Sequence, residues 1–189
     1  LFRSVNFIIL PPKYYQQLED QLSMSEKKMY DLFYNRCQEL LLGKFSSEKS
    51  NRQLSKLNII AQKIETLTSY QRDEFHYHKN KEDDWKLLNK ITNRAYNNRL
   101  FISHLSNIIY LPKNTHIAFA PEEKMAIINI SNSISEIISH GGFKRHKKSA
   151  STLKTSVKRL EEFDQNQMKS HLIYEILLIY KILDSRYAK

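Results

Sequence analysis

The sequence predicts an all-α protein, an antiparallel bundle of about five helices, several of them long. Three observations predict it. Only 3 glycines and 4 prolines occur in 189 residues, too few turn formers for a sandwich or a barrel. Apolar residues recur at spacings of three and four through long windows, which is the period of a buried helix face. Prolines and glycines stand between those windows rather than inside them. With 41% hydrophobic and 26% charged residues, the chain has an ordinary globular composition. No repeat of fixed period is present, and the stripes drift between three and four. A bundle is therefore expected rather than one long coiled coil, and residues 1–189 read as a single helical domain.

Residues 1–11 are apolar but short, and Pro11-Pro12 breaks the run. Proline suits a first helical turn, so a first helix is expected from about Pro12 to Leu42, with Gly43 as its C-terminal cap. Leu18, Leu22, Met29, Phe33 and Leu40 mark its inner face, which Leu32 and Leu41 widen. Ser50 and Gln53 have the spacing of a capping box, so the second helix is expected to open there. It carries Leu54, Leu57, Ala61, Ile64, Leu67 and Phe75. The polar stretch 76–83 has no period and reads as a turn.

The third helix, Asp83 to Leu111, has the longest clean stripe: Trp85, Leu88, Ile91, Ala95, Ile102, Leu105 and Ile109. Aspartates suit its positive end, and Pro112 closes it. It spans about 28 residues, or ~42 Å, and is expected to be the central strut, with Trp85 in the core and His104 without an evident partner. Ile117 and Phe119 are expected to tuck inward from the loop that follows.

Pro121-Glu122-Glu123 opens the fourth helix. That helix runs to His140, with Met125, Ile128, Ile134 and Ile138 inside, and Gly141-Gly142 ends it. The basic loop 143–151 leads to a last helix from Ser151 or Thr152 to Tyr187. Its stripe is Leu153, Val157, Leu160, Met168, Leu172, Ile176, Ile179 and Leu183, and the polar interval 163–167 allows a break.

Charge is the most lopsided property. The net charge is +10, which suits nucleic acid, an anionic membrane surface or an acidic partner. Lys144, Arg145, Lys147, Lys148, Lys154, Lys158 and Arg159 fall within 16 residues, and no acid occurs between Glu136 and Glu161. These seven are the candidate contacts for an anion or a lipid headgroup. The bland account is a solvated loop with one exposed helix face. No aromatic residues interleave the cations as a stacking platform for bases requires, so the bland account is favoured, and nucleic-acid binding through 144–159 is the weakest rival.

Little points to catalysis. The lone Cys37 lies among apolar neighbours and reads as a buried small hydrophobe. His76 and His78, two apart, have no second ligand pair at a recognised spacing. Glu122-Glu123 and Glu161-Glu162 sit where helix ends and exposed faces accept charge. No glycine-rich loop can cradle a phosphate. The expectation is a non-enzyme without metal or cofactor. The 11 tyrosines, among them Tyr15, Tyr30 and Tyr70, are expected to finish the rim of the core.

The order of parts resembles a known family. A short apolar run ends in Pro-Pro, a long helix follows, and a charged helical hairpin comes next. Then comes a helix of the type W-x-x-L-L-x-x-I ending in Leu-Pro, then Pro-Glu-Glu, a basic loop and a long helix. This is similar to the cytoplasmic helical domain of the fusaric acid resistance (FUSC) and aromatic acid exporter family of bacterial inner-membrane proteins. Asn98 to Pro112 matches the mid-domain helix and Pro121 to Gly142 the helix after it. The resemblance implies a fragment of a longer membrane protein on the cytoplasmic face of the inner membrane, with residues 1–11 as the juxtamembrane segment. It also implies support of assembly or gating for export of small, aromatic-acid-like compounds. The partners expected are the chain's own membrane domain, anionic lipid headgroups and a second copy. No transport residue is carried over to a numbered position. The alternative is a stand-alone helical interaction module, an adaptor or secreted effector domain. No stretch is apolar enough to span a bilayer. The closest, Leu172 to Leu183, is interrupted by Glu175 and Lys181.

Overall fold

A computed structural model describes residues 11–43, 47–74, 81–111, 117–139, 147–162 and 167–187. Those residues form six helices and no strand: α1 (Pro11–Leu42), α2 (Ser47–Glu74), α3 (Lys81–Ile109), α4 (Pro121–Ser139), α5 (Lys147–Glu162) and α6 (Gln167–Tyr187). The all-α class is as expected. The last long helix is two elements, α5 and α6, flanking the polar interval that allowed a break.

Three helix starts shift for physical reasons. Helix α2 begins at Ser47, so Ser50 is an interior, buried residue rather than a cap. Helix α3 begins at Lys81, two residues ahead of Asp83. Helix α5 begins at Lys147, so half of the expected basic loop is helical. Its first turn is held from below. Ser149 Oγ donates to the Glu136 carboxylate of α4, and Ala150 packs on the core. Gly43 ends α1 with φ of 64°, the left-handed geometry that a helix C-cap favours. At Ala120 the backbone N–H donates to Glu123 Oε2 at 2.7 Å, the carboxylate half of a capping box.

Two clusters make up the interior. The smaller joins Tyr15, Leu18 and Leu22 of α1, Ile64 of α2, and Leu88, Ile91 and Ala95 of α3. The larger takes the C-terminal halves of α1 and α3 and the N-terminal half of α2, and adds α4, α5 and α6. Helices α1 and α3 therefore run the same way, with α2 reversed. Contacts to Glu19, Glu26 and Arg36 confirm the register, because their partners on α3 are Lys90, Arg94 and the carbonyls of Ile108 and Ile109 in that order. Helix α4 packs on α1, α6 on α3, and α5 over α4. Phe101 sits edge-on to Tyr30 and Phe33, with ring centroids 5.0 and 6.0 Å away, a favoured aromatic geometry.

Most of the expected stripe residues are buried, including Leu88, Ile91, Ala95, Ile102, Leu105 and Ile109 of α3. Phe119 is buried and Ile117 partly so. Two expectations fail. Trp85 is 44% exposed; it lies one turn before the first buried residue of α3, near the helix end. Met125 is 55% exposed, because α4 turns Glu123, Ala126, Ile127, Ile130, Ile134 and Ile137 inward instead. Tyr15 and Tyr30 are buried, whereas Tyr70 is exposed. Phe75, His76 and His78 lie outside the described residues, and of Ile138 and Met168 only the backbone is described.

Candidate functional site

The basic segment becomes one face of α5. Leu153, Ser156, Val157 and Leu160 are buried, while Lys148, Lys154, Lys158 and Arg159 are exposed. At about 100° per residue the four cations fall within a sector of roughly 140°, opposite the buried stripe. None has an ion pair with a described residue. Lys144 and Arg145 lie outside the described residues. Lys147 is the first residue of α5, with only its backbone described. So the structure brings four of the seven candidates together on a rigid element. Glu161 and Glu162, both exposed, end the face.

Elsewhere the charged groups are used between helices. Arg94 donates to both oxygens of the buried Glu26, at 3.2 and 3.0 Å, and Asn98 Nδ2 adds a third donor at 3.3 Å. Arg36 is 1% exposed. Its Nη2 donates to the carbonyl of Ile109 at 3.1 Å, so a guanidinium meets the negative end of α3. Lys169 of α6 donates to both oxygens of the buried Glu123 of α4, at 2.8 and 2.9 Å. The second carboxylate of the Glu122-Glu123 pair is thus a buried clamp and not a solvated helix end. Burial makes each such pair costly to break from one side.

His104 has a partner after all. Its Nδ1 is 2.7 Å from Glu175 Oε2, and because a carboxylate only accepts, Nδ1 carries the proton. Asn107 Nδ2 donates to Glu175 Oε1 at 3.0 Å, and His171 Nε2 of the same helix as Glu175 stands 3.9 Å away. Glu175, one of the two charges that interrupt the apolar run 172–183, is buried here between α3 and α6. Beside Asn107 a recess of about 240 Å³ opens, lined by Asn58, Arg99, Ile102, Ser103, Ser106 and Asn107. It offers hydrogen-bond donors and one guanidinium, which already leans on Asn58 and Glu65. Sequence reasoning missed Glu26, Arg36, Glu123 and Glu175 as buried charges. The partners that bury them on other helices are distant in sequence, so local spacing does not mark them as interior.

Cys37 is fully buried, and burial pushes its thiol up to about 12 against the smaller opposing effect of Arg36. A thiol held neutral in this way is a poor nucleophile. Burial also raises the Tyr180 hydroxyl, with Asp184 and then Glu161 adding to it. Among the described residues no three His, Cys, Asp or Glu side chains gather as a metal would require.

Comparison with known proteins gives sequence relatives and nothing further. No family model matches the chain, and no solved structure matches it. A UPF0421 protein of Staphylococcus epidermidis is 79% identical over 185 residues, which covers 98% of this chain and 56% of that relative. A UPF0421 protein of Staphylococcus haemolyticus is 68% identical over 183 residues, 97% of this chain and 56% of its own length. One from Staphylococcus aureus is 56% identical over 184 residues, with 97% and 56% coverage. The chain is similar to UPF0421 proteins along nearly all its length and spans a little over half the length of the relatives it matches.

Proposed function

We propose that the chain is the cytoplasmic helical domain of a FUSC-like inner-membrane transporter. In this reading its helices form a single antiparallel bundle that supports assembly or gating for the export of small, aromatic-acid-like compounds. It performs no chemistry itself and works against its own membrane portion, with a second copy as a further partner. The observation that carries the proposal is the coverage: relatives up to 79% identical extend well beyond the aligned part, leaving room for membrane spans. Among the described residues no helix is long and apolar enough to cross a membrane, so any span must come from elsewhere in the protein. The order of helices and their punctuation supports the family resemblance.

The test is fractionation of a full-length relative beside the 189-residue chain. The full-length protein is expected in the membrane pellet, resistant to alkaline carbonate and released by detergent. Recovery of the full-length protein in the soluble fraction overturns the transporter reading. That result would favour the rival, a stand-alone interaction module, for which the exposed Tyr96, Tyr110 and Tyr174 supply amphipathic contact residues.

A further inference from the structure

Helix α5 has one main neighbour. It packs on α4 and touches α6 only lightly. That packing uses up its apolar stripe, since Leu153, Val157 and Leu160 are all buried. What remains outward is Lys148, Lys154, Lys158 and Arg159, interspersed with Ser151, Thr152 and Thr155, with the exposed Glu161 and Glu162 at the C-terminal end. None of these cations has an ion pair with a described residue, although acidic residues on other helices pair across interfaces in the molecule. A helix face with four cations, and acids only at its last two residues, fits a polyanionic partner.

We propose that the outward face of α5 docks flat on an anionic lipid surface, by charge and without insertion. Three features favour a bilayer surface over nucleic acid. The cations lie on a convex, regular helix rather than along a groove that could track a phosphate backbone. No aromatic residue occurs in α5 to stack on bases. Clusters of four or more Lys and Arg on an amphipathic helix are the usual footprint of anionic headgroup binding. Absence of insertion follows from the packing: the residues that would enter the acyl region are already inside the protein. The docking rests on the transporter reading only for its cellular setting, because the contact is a property of the 189-residue chain.

The experiment is co-sedimentation of that chain with vesicles of phosphatidylcholine alone and of phosphatidylcholine mixed with phosphatidylglycerol. Binding is expected to the mixed vesicles only, and to fall steeply as salt rises. The double variant K154E/K158E, altered at exposed positions that leave the fold intact, is expected to lose roughly tenfold or more in partitioning, since each basic residue near such a surface adds comparably. K56E/K63E changes net charge equally at exposed positions of α2 and is expected to bind as the parent does. Equal binding to both vesicle types overturns the proposal, as does an equal loss in the two variants. Tighter binding to a duplex oligonucleotide than to the mixed vesicles at the same salt overturns it in favour of nucleic acid. Failure of the fractionation test with vesicle binding intact would remove the transporter and leave the docking face.

Discussion

Cys37 and Arg36 are neighbours in sequence, both wholly inside, and opposite in consequence. The guanidinium is engaged by Glu39 and by the end of α3, and its lowering effect on the thiol is smaller than the desolvation that holds the thiol neutral. The linkage sign follows. The folded pKa, about 12, lies above the ordinary value of 9.0, so above pH 9 the unfolded chain binds fewer protons and stability falls as pH rises. The contribution of Cys37 is constant below that point and is lost at on the order of 1 kcal/mol per pH unit above it. Urea unfolding at pH 8 and pH 10.5 should show a smaller alkaline loss for Cys37→Ala than for the parent. In native conditions the thiol should also resist a thiol reagent that modifies it fully in urea. At this scale the sequence was half legible. A lone cysteine among apolar residues reads correctly as buried. A buried arginine does not: its pairing with Glu39 three residues on is that of any exposed helix face, and the carbonyls that hold it inside are 72 and 73 positions away. His104 was equally opaque, since Glu175 lies on another helix.

Among the elements, α1, α2, α3 and α6 were the most legible and α4 the least. In α3 the polar residues between apolar ones fix which side faces in, so Ile102 and Leu105 are buried where the period puts them. Helix α4 carries Met125, Ala126, Ile127 and Ile128 in direct succession, so in that turn apolar residues point to every side. A three-four spacing then fits more than one phase, and the true phase is set by α1 and α5 instead. A paired substitution checks this. Leu105→Ala should cost about 2–5 kcal/mol, as a large buried side chain does when truncated. Met125→Ala should change stability by no more than about 0.5 kcal/mol. Denaturant midpoints for the two variants that coincide would mean that α3 and α4 are misassigned. The start of α5 was misread for a related reason. Nothing local favours a helix at Lys147, but Ser149 and Ala150 find their partners beneath it on α4 and in the core.

Across the whole molecule, the all-α class was legible, whereas the division of its interior was not. Two apolar clusters meet at a polar layer where Glu26, Arg94 and Asn98 join α1 to α3. Such a layer limits how far packing cooperativity spreads, and local opening follows contact density. Hydrogen exchange should therefore release the amides of residues 15–22 and 87–95 before those of residues 29–40 and 101–109. A single common rate for both groups would show that the layer transmits cooperativity fully. The candidate site was partly legible for the same reason of scale: a run of cations can be counted in sequence, but a shared helix face appears only once α4 fixes where α5 begins.

The parallel course of α1 and α3 has a mechanical consequence. Glu26 and Arg36 tie α1 to the same neighbour at two heights, one contact through a carboxylate and one through main-chain carbonyls. A pull along α1 from its N-terminal end meets both ties in shear, at the same time, rather than peeling them one after the other. The α1–α3 pair is thus a stiff rod along its length. A load applied along α1 is therefore shared with α3 at both contacts.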